Sequence, residues 1–283
     1  MSDFITLPNN EVESIAIGRF DGLHIGHLAL LDKLDNNGAI LLIDTKRANL
    51  TPPNQINTIC NFAIARYELD VISGKTPEEF VLLLKKDFPN LKKIVIGQDF
   101  MFGNNRSGNA LTLKELFDGE CVVVQEVKID CIGVHSKQIR AFLQDGNIKK
   151  ANQFLGREYS IGGKVIKGQG IGAQKLLATI NLSVTDYFFP KEGIYAARFQ
   201  MEDKKYDAVV FIGKRLCTDG NFAVEAHLLN DIPSQICEYG SILFVDFIRE
   251  NHFYSELSDL KKQMLIDTKN ANDILCSSRL IIL

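Results

Sequence analysis

Residues 15–27 read IAIGRFDGLHIGH, and this segment indicates how the first half of the chain folds. Its apolar beginning is typical of a buried strand, and its glycines permit the tight turn that follows. From Ile25 onward apolar residues recur at helical spacing, which places His24 and His27 at or just before the first turn of a helix. Exposed amide N–H groups at a helix start attract phosphate, and imidazoles there add hydrogen-bond donors. The stretch therefore predicts a strand, a phosphate-binding loop and a helix.

The composition is that of a globular protein with room for two domains. The chain has 283 residues, of which 46% are hydrophobic and 24% charged, and this excludes disordered and collagen-like classes. A formal net charge of −3 gives no general attraction to nucleic acid or to an acidic membrane, so neither is expected as a partner. The six cysteines form no CxxC pair, and no leader pattern or membrane-length apolar run is present. We expect reduced cysteines and a cytoplasmic location.

Short apolar runs alternate with amphipathic segments up to about residue 156. This alternation predicts an α/β, Rossmann-like domain with a parallel sheet over residues 1–156. A helix is expected at Thr58–Arg66. The expected strands are Glu13–Gly18, Gly38–Ile43, Glu68–Ile72, Lys92–Gly97 and Cys121–Val127. In such sheets ligands bind at the carboxyl ends of strands, where both the histidine loop and residues 97–103 fall.

The pattern changes beyond residue 158, where alternating β-rich runs are separated by turn residues. These runs predict a small antiparallel β-barrel over residues 157–283. Helical spacing returns at Ser255–Leu275, which predicts a C-terminal helix that covers one side of the barrel.

The histidine stretch carries a resemblance to a known family. Either histidine alone would more often be a helix cap or a surface residue, but the residues occur together in one spacing. They are similar to the GxFDGxHxGH signature of the nucleotidylyltransferase superfamily, and specifically of bacterial bifunctional riboflavin kinase/FAD synthetases. The matching positions are Gly18, Phe20, Asp21, Gly22, His24, Gly26 and His27. The resemblance implies catalytic roles for the two histidines and cofactor-binding roles for the other five.

Two further segments resemble the same adenylyltransferase domain. Taken alone, residues 94–109 could be a surface turn, since Gly, Asn and Asp dominate turns. The positions that resemble the family's GxDFxFG segment are Gly97, Asp99, Phe100, Phe102 and Gly103. VHSKQIR resembles the family's ISSTxIR at Ser136, Ile139 and Arg140. Arg140 would hold ATP phosphates, although a solvated arginine is the commoner case. Lys137 replaces a threonine there and is a candidate phosphate contact.

One family segment is missing. Residues 41–50 read LLIDTKRANL where the family usually carries a Phe-x-Pro-His-Pro type sequence. We expect its contact to be absent or replaced by Lys46 or Arg47.

A second candidate site follows the first predicted barrel strand. Residues 168–182 read GQGIGAQKLLATINL, and alternate glycines at Gly168, Gly170 and Gly172 permit close approach to phosphates, although a flexible hairpin would explain them too. Thr179 and Asn181 offer oxygen ligands suited to Mg²⁺. The segment resembles the riboflavin kinase domain, whose glycine-rich loop precedes PTAN. It departs from that pattern at Ile171, Ala173, Leu176 and Ala178.

Two later residues, Glu225 and Arg249, complete the predicted second site. Glu225 lies in FAVEAHLL, which resembles a family strand that carries a carboxylate, and its proposed role is general base for the ribityl 5′-hydroxyl. Without the resemblance, such a glutamate would more often be a solvent-facing residue. Arg249 resembles part of a FIR segment that is either flavin-contacting or structural. FIGKRLC retains the family's Gly213 and Arg215 but not the proline and threonine after them.

Taken together, the resemblance implies a bifunctional enzyme of flavin cofactor biosynthesis. It would phosphorylate riboflavin to FMN and adenylylate FMN to FAD, with ATP as co-substrate, Mg²⁺ as metal and pyrophosphate as a product. The alternatives are retention of only one activity, or a flavin-binding regulator without turnover. Another adenylyltransferase would share the histidines but would not explain residues 158–283. The expected partners are small molecules, with a monomer favoured.

Overall fold

The computed structural model describes residues 8–46, 49–166, 179–217, 219–229 and 237–280. The chain divides into two compact units, Met1–Ser136 and Lys137–Leu283. Each unit has its own hydrophobic core, so each is described separately below. A boundary after residue 156, which the sequence pattern predicts, stays a prediction for excised domains to test.

The first unit is built on a five-stranded parallel sheet, and its order is β3-β2-β1-β4-β5. Strands β1, β2 and β4 carry continuous apolar runs because helices and loops cover both faces of a parallel sheet. The chain runs outward in one direction from β1 to β3 and in the other through β4 to β5, so β1 and β4 flank the point where the strand order reverses. The strands are β1 Ser14–Gly18, β2 Gly38–Asp44, β3 Ala63–Glu68, β4 Lys93–Gly97 and β5 Glu120–Val124.

Short helices connect these strands. The longest, α3, starts with a capping box in which Thr76 and Glu79 satisfy each other's backbone N–H groups, and it buries Phe80 and Leu84. The α-helices of this part are α1 Ile25–Leu31, α2 Leu69–Ile72, α3 Pro77–Asp87 and α4 Ala110–Leu116. The 3-10 helices are Asn9–Glu11, Pro53–Thr58 and Asn104–Arg106. A small hairpin joins β6 Lys128–Ile129 to β7 Ile132–Gly133.

The sequence prediction for residues 58–72 is wrong. The expected helix Thr58–Arg66 and strand Glu68–Ile72 are replaced by β3 and then by α2. Residues 63–68 read AIARYE, in which good helix formers are frequent, but pairing with β2 places them at the edge of the sheet. An edge strand is only half-buried, so its polar residues hide the strand signal.

The second unit is a closed antiparallel barrel with strand order β10-β11-β12-β9-β8-β13. Two helices precede it, α5 Ser136–Gln144 and α6 Ile148–Leu155, and Asn152 Nδ2 donates to the backbone oxygen of Phe244 at 2.8 Å. The barrel strands are β8 Tyr159–Ile166, β9 Ile180–Ser183, β10 Gly193–Met201, β11 Lys204–Lys214, β12 Phe222–Leu228 and β13 Tyr239–Arg249. The expected small antiparallel barrel is confirmed.

A C-terminal helix, α7 Leu257–Leu280, covers part of the barrel as expected. Ala271 and Leu275 are fully buried and belong to one apolar cluster with Ala196 and Val245 of the barrel wall. The burial of this narrow stripe fixes the helix on the barrel. In the part of the chain that the structure describes, no helix is both long enough and apolar enough to span a membrane.

Candidate functional site

His24 and His27 lie together at the start of α1, after the loop that follows β1. His24 is the N-cap of α1, and its Nδ1 accepts a hydrogen bond from the His27 backbone N–H at 3.3 Å. The two rings stack with centroids 3.6 Å apart and planes 15° from parallel. Because Nδ1 of His24 acts as an acceptor, the proton of the neutral ring lies on Nε2. The cap thus fixes both the position and the tautomer of His24.

The backbone of the preceding loop is strongly bent. Phe20 has φ of +46° and Gly22 of +89°, and Phe20 is fully buried with its ring centroid 5.2 Å from that of His27. A Cβ on Gly26 would lie 3.2 Å from the His24 ring, so the absence of a side chain leaves room for the stacked pair. Gly18 closes β1 and lies against the Phe20 ring. These residues shape the histidine loop through packing.

Asp21 and Ser136 tie this loop to other segments of the first unit. Asp21 is buried, and its Oδ1 accepts hydrogen bonds from the backbone N–H groups of Asn49 at 3.1 Å and Leu50 at 2.9 Å. The Ser136 hydroxyl donates to the backbone oxygen of Asp21 at 2.7 Å. Both side chains therefore support the loop, whereas their predicted contacts with a cofactor stay predictions.

The second predicted loop lies beside the first. β1 and β4 are hydrogen-bonded neighbours, so Gly18 and Gly97 end adjacent strands at the same edge of the sheet. Of the motif residues that follow, Asp99 is exposed, whereas Phe102 is only 6% exposed. The strand ends thus bring the two motifs together at the position where α/β sheets bind ligands.

The aromatic residues of this second loop serve the core. Phe102 packs 5.4 Å from Phe80 and 5.6 Å from Phe100, measured between ring centroids. Gly103 has φ of +73° and lies against Pro77, where a Cβ would come within 2.9 Å of the proline ring. Phe102 and Gly103 therefore brace the loop, whereas Gln98 and Asp99 expose polar side chains at its start.

Two of the cations expected at this site have partners in the structure. Lys46 Nζ lies 3.2 Å from Glu68, and this hydrogen bond raises the pKa of Lys46 above its ordinary value. Arg140 belongs to the second unit, where its guanidinium lies 5.5 Å from the Phe188 ring centroid. Lys137 is exposed, and Arg47 lies outside the described residues. Their phosphate-binding roles stay predictions.

The second site is organised around Arg215, which follows β11. Glu225 on β12 pairs with Asn181 on β9, so both residues lie at one level of the barrel wall. Arg215 Nε donates to Glu225 Oε1 at 2.7 Å, and Nη2 donates to Asn181 Oδ1 at 2.8 Å. Nη1 lies 3.3 Å from Asp219 Oδ2. One guanidinium therefore connects a carboxylate, an amide and a second carboxylate.

Arg215 and Asp219 were not among the predicted site residues. Hydrogen bonds from Asn221 lower the pKa of Asp219 below its usual value, and the nearby charge of Arg215 acts in the same direction. The only sequence signal for Arg215 was its place in FIGKRLC. No local spacing reveals that residues 181, 215 and 225 meet across three strands.

The residues expected to hold Mg²⁺ carry oxygen atoms of the kind that this ion prefers. Asn181 is 5% exposed, and its amide oxygen has a second lone pair beside the one that Arg215 occupies. Thr179 precedes β9 and supplies a hydroxyl. Among the described residues, His, Cys, Asp and Glu side chains do not gather in threes as a metal site. The predicted glycines Gly168, Gly170 and Gly172 lie outside the described residues.

Arg249 makes a structural ion pair. Its Nε and Nη2 donate to Asp267 Oδ1 at 2.9 Å and Oδ2 at 2.6 Å, and Asp267 on α7 is 2% exposed. Gln263 Nε2 donates to the same carboxylate at 3.0 Å. This bidentate pair fastens α7 to β13. A flavin contact by Arg249 stays a prediction.

Comparisons with known proteins agree with the resemblance stated above. Residues 155–275 match the family model of riboflavin kinase. Along its length the chain is similar to bifunctional riboflavin kinase/FMN adenylyltransferases. That of Buchnera aphidicola subsp. Schizaphis graminum is 28% identical, with 91% of this chain and 92% of the relative covered. That of Escherichia coli (strain K12) is 25% identical, with 92% and 91% covered.

A solved structure shares the fold. It is named as a macrolide-efflux protein from Streptococcus pneumoniae, and it matches with a TM-score of 0.79 at 23% identity. The match covers 95% of this chain and 98% of that one. At this identity the likeness supports the fold and nothing finer.

Proposed function

We infer that this chain, a homologue of the bifunctional riboflavin kinase/FMN adenylyltransferases with a riboflavin kinase domain at residues 155–275, makes flavin cofactors. The barrel unit phosphorylates riboflavin to FMN, and the parallel-sheet unit joins FMN to the AMP part of ATP. The observation that carries this conclusion is that each unit holds its own polar centre, stacked histidines in one and an arginine-linked glutamate in the other.

In the adenylyl transfer we assign His24 and His27 as the catalytic residues. A phosphate oxygen of FMN attacks the α-phosphorus of ATP, and pyrophosphate leaves. Such a displacement needs no protein nucleophile, so positioning and charge stabilisation are the contributions that remain for the protein. With Nδ1 engaged by the His27 backbone, His24 can present Nε2–H to a phosphoryl oxygen on which charge develops.

In the kinase reaction we assign Glu225 as the general base. It accepts the proton of the ribityl 5′-hydroxyl as that oxygen attacks the γ-phosphorus of ATP, the bond from this phosphorus to the bridging oxygen breaks, and ADP leaves. We propose that Thr179 and Asn181 hold Mg²⁺ through their side-chain oxygens. When bound, the metal supplies positive charge against the phosphate oxygens. The side-chain exposure of Glu225, 22%, supports contact with a substrate while limiting competing water.

For the remaining motif residues we propose that the loop backbones contact nucleotide and flavin while buried side chains hold those loops in shape. Asp99 and the segment 168–172 are the candidates for direct contact. A cytoplasmic, monomeric enzyme stays our expectation. The residues assigned to cofactor binding are Gly18, Phe20, Asp21, Gly22, Gly26, Asp99, Phe100, Phe102, Gly103, Ser136, Arg140, Gly168, Gly170, Gly172, Asn181 and Arg249.

The test is a chromatographic product assay on purified, flavin-free protein with ATP and Mg²⁺, started from riboflavin in one tube and from FMN in another. We expect FMN and FAD from riboflavin, and FAD from FMN. FAD from FMN alone would mean that the kinase is inactive, as the departures between Ile171 and Ala178 would explain. FMN without FAD would assign the loss to the histidine site. Flavin binding without product in either tube would overturn the enzyme interpretation in favour of a binding protein.

A further inference from the structure

Arg215 makes a contact with each nitrogen of its guanidinium in the barrel site. Its side chain is only 19% exposed, and its partners are Glu225, Asn181 and Asp219. An arginine on a solvent-exposed turn directs most of its N–H groups to water, whereas Arg215 directs them to three side chains. The planar fork of arginine suits this task, because its donors point in fixed directions.

The backbone of Arg215 is anchored as well. Its N–H donates to the Asn221 oxygen at 2.9 Å, and its own carbonyl accepts from the Gly220 N–H at 3.1 Å. These bonds close the hairpin between β11 and β12, so the side chain starts from a fixed point. Within the described part of the chain, Arg215 is the hydrogen-bond donor to Glu225, and it holds Oε1. Oε2 is then the carboxylate oxygen that can face a substrate hydroxyl.

We propose that Arg215 is a positioning residue of the riboflavin kinase site, which holds the base Glu225 and the metal-ligand candidate Asn181 in register through one guanidinium. The inference rests on the kinase function proposed above. Arg215 acts through Glu225 and Asn181 rather than on the substrate. It fixes which carboxylate oxygen points outward and keeps the amide oxygen of Asn181 at the same level of the wall.

The physical effect of removing Arg215 follows from the geometry. Without the guanidinium, Glu225 is free to rotate, and the carboxylates of Glu225 and Asp219 lose the cation between them. A displacement of about 1 Å in a reacting group can lower a rate about 100-fold. Arg215 is not assigned a contact with riboflavin, so the loss should fall on kcat rather than on the riboflavin KM.

The experiment compares R215A, R215K and K214A in the full-length protein. Lys214 is an exposed neighbour of Arg215. The K214A substitution therefore removes one positive charge from the same hairpin and leaves the contact between Arg215 and Glu225 in place. We expect R215A to lower kcat for FMN formation about 100-fold, with the riboflavin KM within about threefold of wild type. R215K keeps the charge but not the planar fork, so we expect its kcat to lie between the two, about tenfold below wild type. K214A should match wild type.

A double-variant cycle separates positioning from a general structural defect. If Arg215 acts through Glu225, R215A should slow E225Q less than about threefold, because residues that work as a unit are not additive. Full additivity, or an unchanged kcat in R215A, would overturn the proposal. If R215A does not fold, as judged by thermal denaturation, R215K decides alone, and wild-type kcat in that variant would overturn it. If wild type forms no FMN, the kinase function itself has failed, which this design distinguishes.

Discussion

The two sites hold their chemical groups in different ways. In the parallel-sheet unit, His24 and His27 are fixed by a helix cap, by ring stacking and by a bent backbone. In the barrel unit, Glu225 and Asn181 are fixed by the charge and hydrogen bonds of Arg215. The first arrangement depends on packing and backbone shape, and the second on one long side chain. Replacing one side chain, that of Arg215, should therefore disorder the barrel site, whereas the histidine site has several independent supports.

The largest effect should come from Glu225→Gln. The amide cannot take the proton of the ribityl hydroxyl, and general-base catalysis contributes about 10²–10⁴ in rate, so FMN formation should fall about 1,000-fold. FAD formation from FMN, measured in the same preparation, serves as the control and should stay at the wild-type rate. A kinase rate within tenfold of wild type would remove Glu225 from the role of base.

The next effect concerns stability. Asp267→Ala leaves the half-buried guanidinium of Arg249 without its partner, and breaking such a pair should lower the free energy of unfolding by about 3 kcal/mol. Chemical denaturation would measure the change. Asp273→Ala, on the same helix, is the matched control, since its side chain is not used in this pair. Equal stability of the two variants would show that packing alone fastens α7.

His24→Asn tests whether the ring or the cap matters at the first site. Asparagine is a good N-cap, so the helix start should survive while the ring is lost. We expect FAD formation from FMN to fall about 100-fold, the effect of losing one donor to developing charge, with kinase activity unchanged. His24→Ala should add only the loss of the cap to this. If His24→Asn keeps full activity, the histidine serves as a cap alone.

The smallest of these effects should come from Gly26→Ala. The new Cβ would lie 3.2 Å from the His24 ring, so the stacked pair must shift by a few tenths of an ångström. We expect about a tenfold loss in FAD formation, since small displacements of reacting groups already reduce rate. Gly74→Ala is the control, because nothing lies within 4 Å of its added Cβ. Equal rates in the two variants would show that the loop adapts.

The sequence predicted much of the fold and less of the sites. Local patterns sufficed for the buried strands and for the barrel, because continuous or alternating apolar runs have few other solutions. They failed at β3, where pairing with β2 outweighs the helix preference of AIARYE. They also missed Arg215, because its site partners Asn181 and Glu225 are 34 and 10 residues away along the chain. Contacts across strands leave no spacing to detect.

The motif residues also divide into kinds that the sequence could not separate. Phe20 and Phe102 belong to the predicted site, yet their side chains are buried and shape the loops from behind. The carboxylate of Asp21 accepts hydrogen bonds from two backbone N–H groups. A spacing match identifies which residues belong together, but it does not tell a scaffold residue from one that faces the ligand.

The closed barrel and the open parallel sheet differ in their exposed strand edges, and these edges affect aggregation during folding. Each barrel strand has a neighbour on both sides, whereas the parallel sheet ends at β3 and β5. Open strand edges can recruit other chains, so self-association during refolding should begin in the parallel-sheet unit. On β3 that risk is reduced by charge, because Arg66 pairs with the buried Asp44 and Glu68 with Lys46. These two ion pairs on β3 should therefore lower the tendency of the parallel-sheet unit to aggregate.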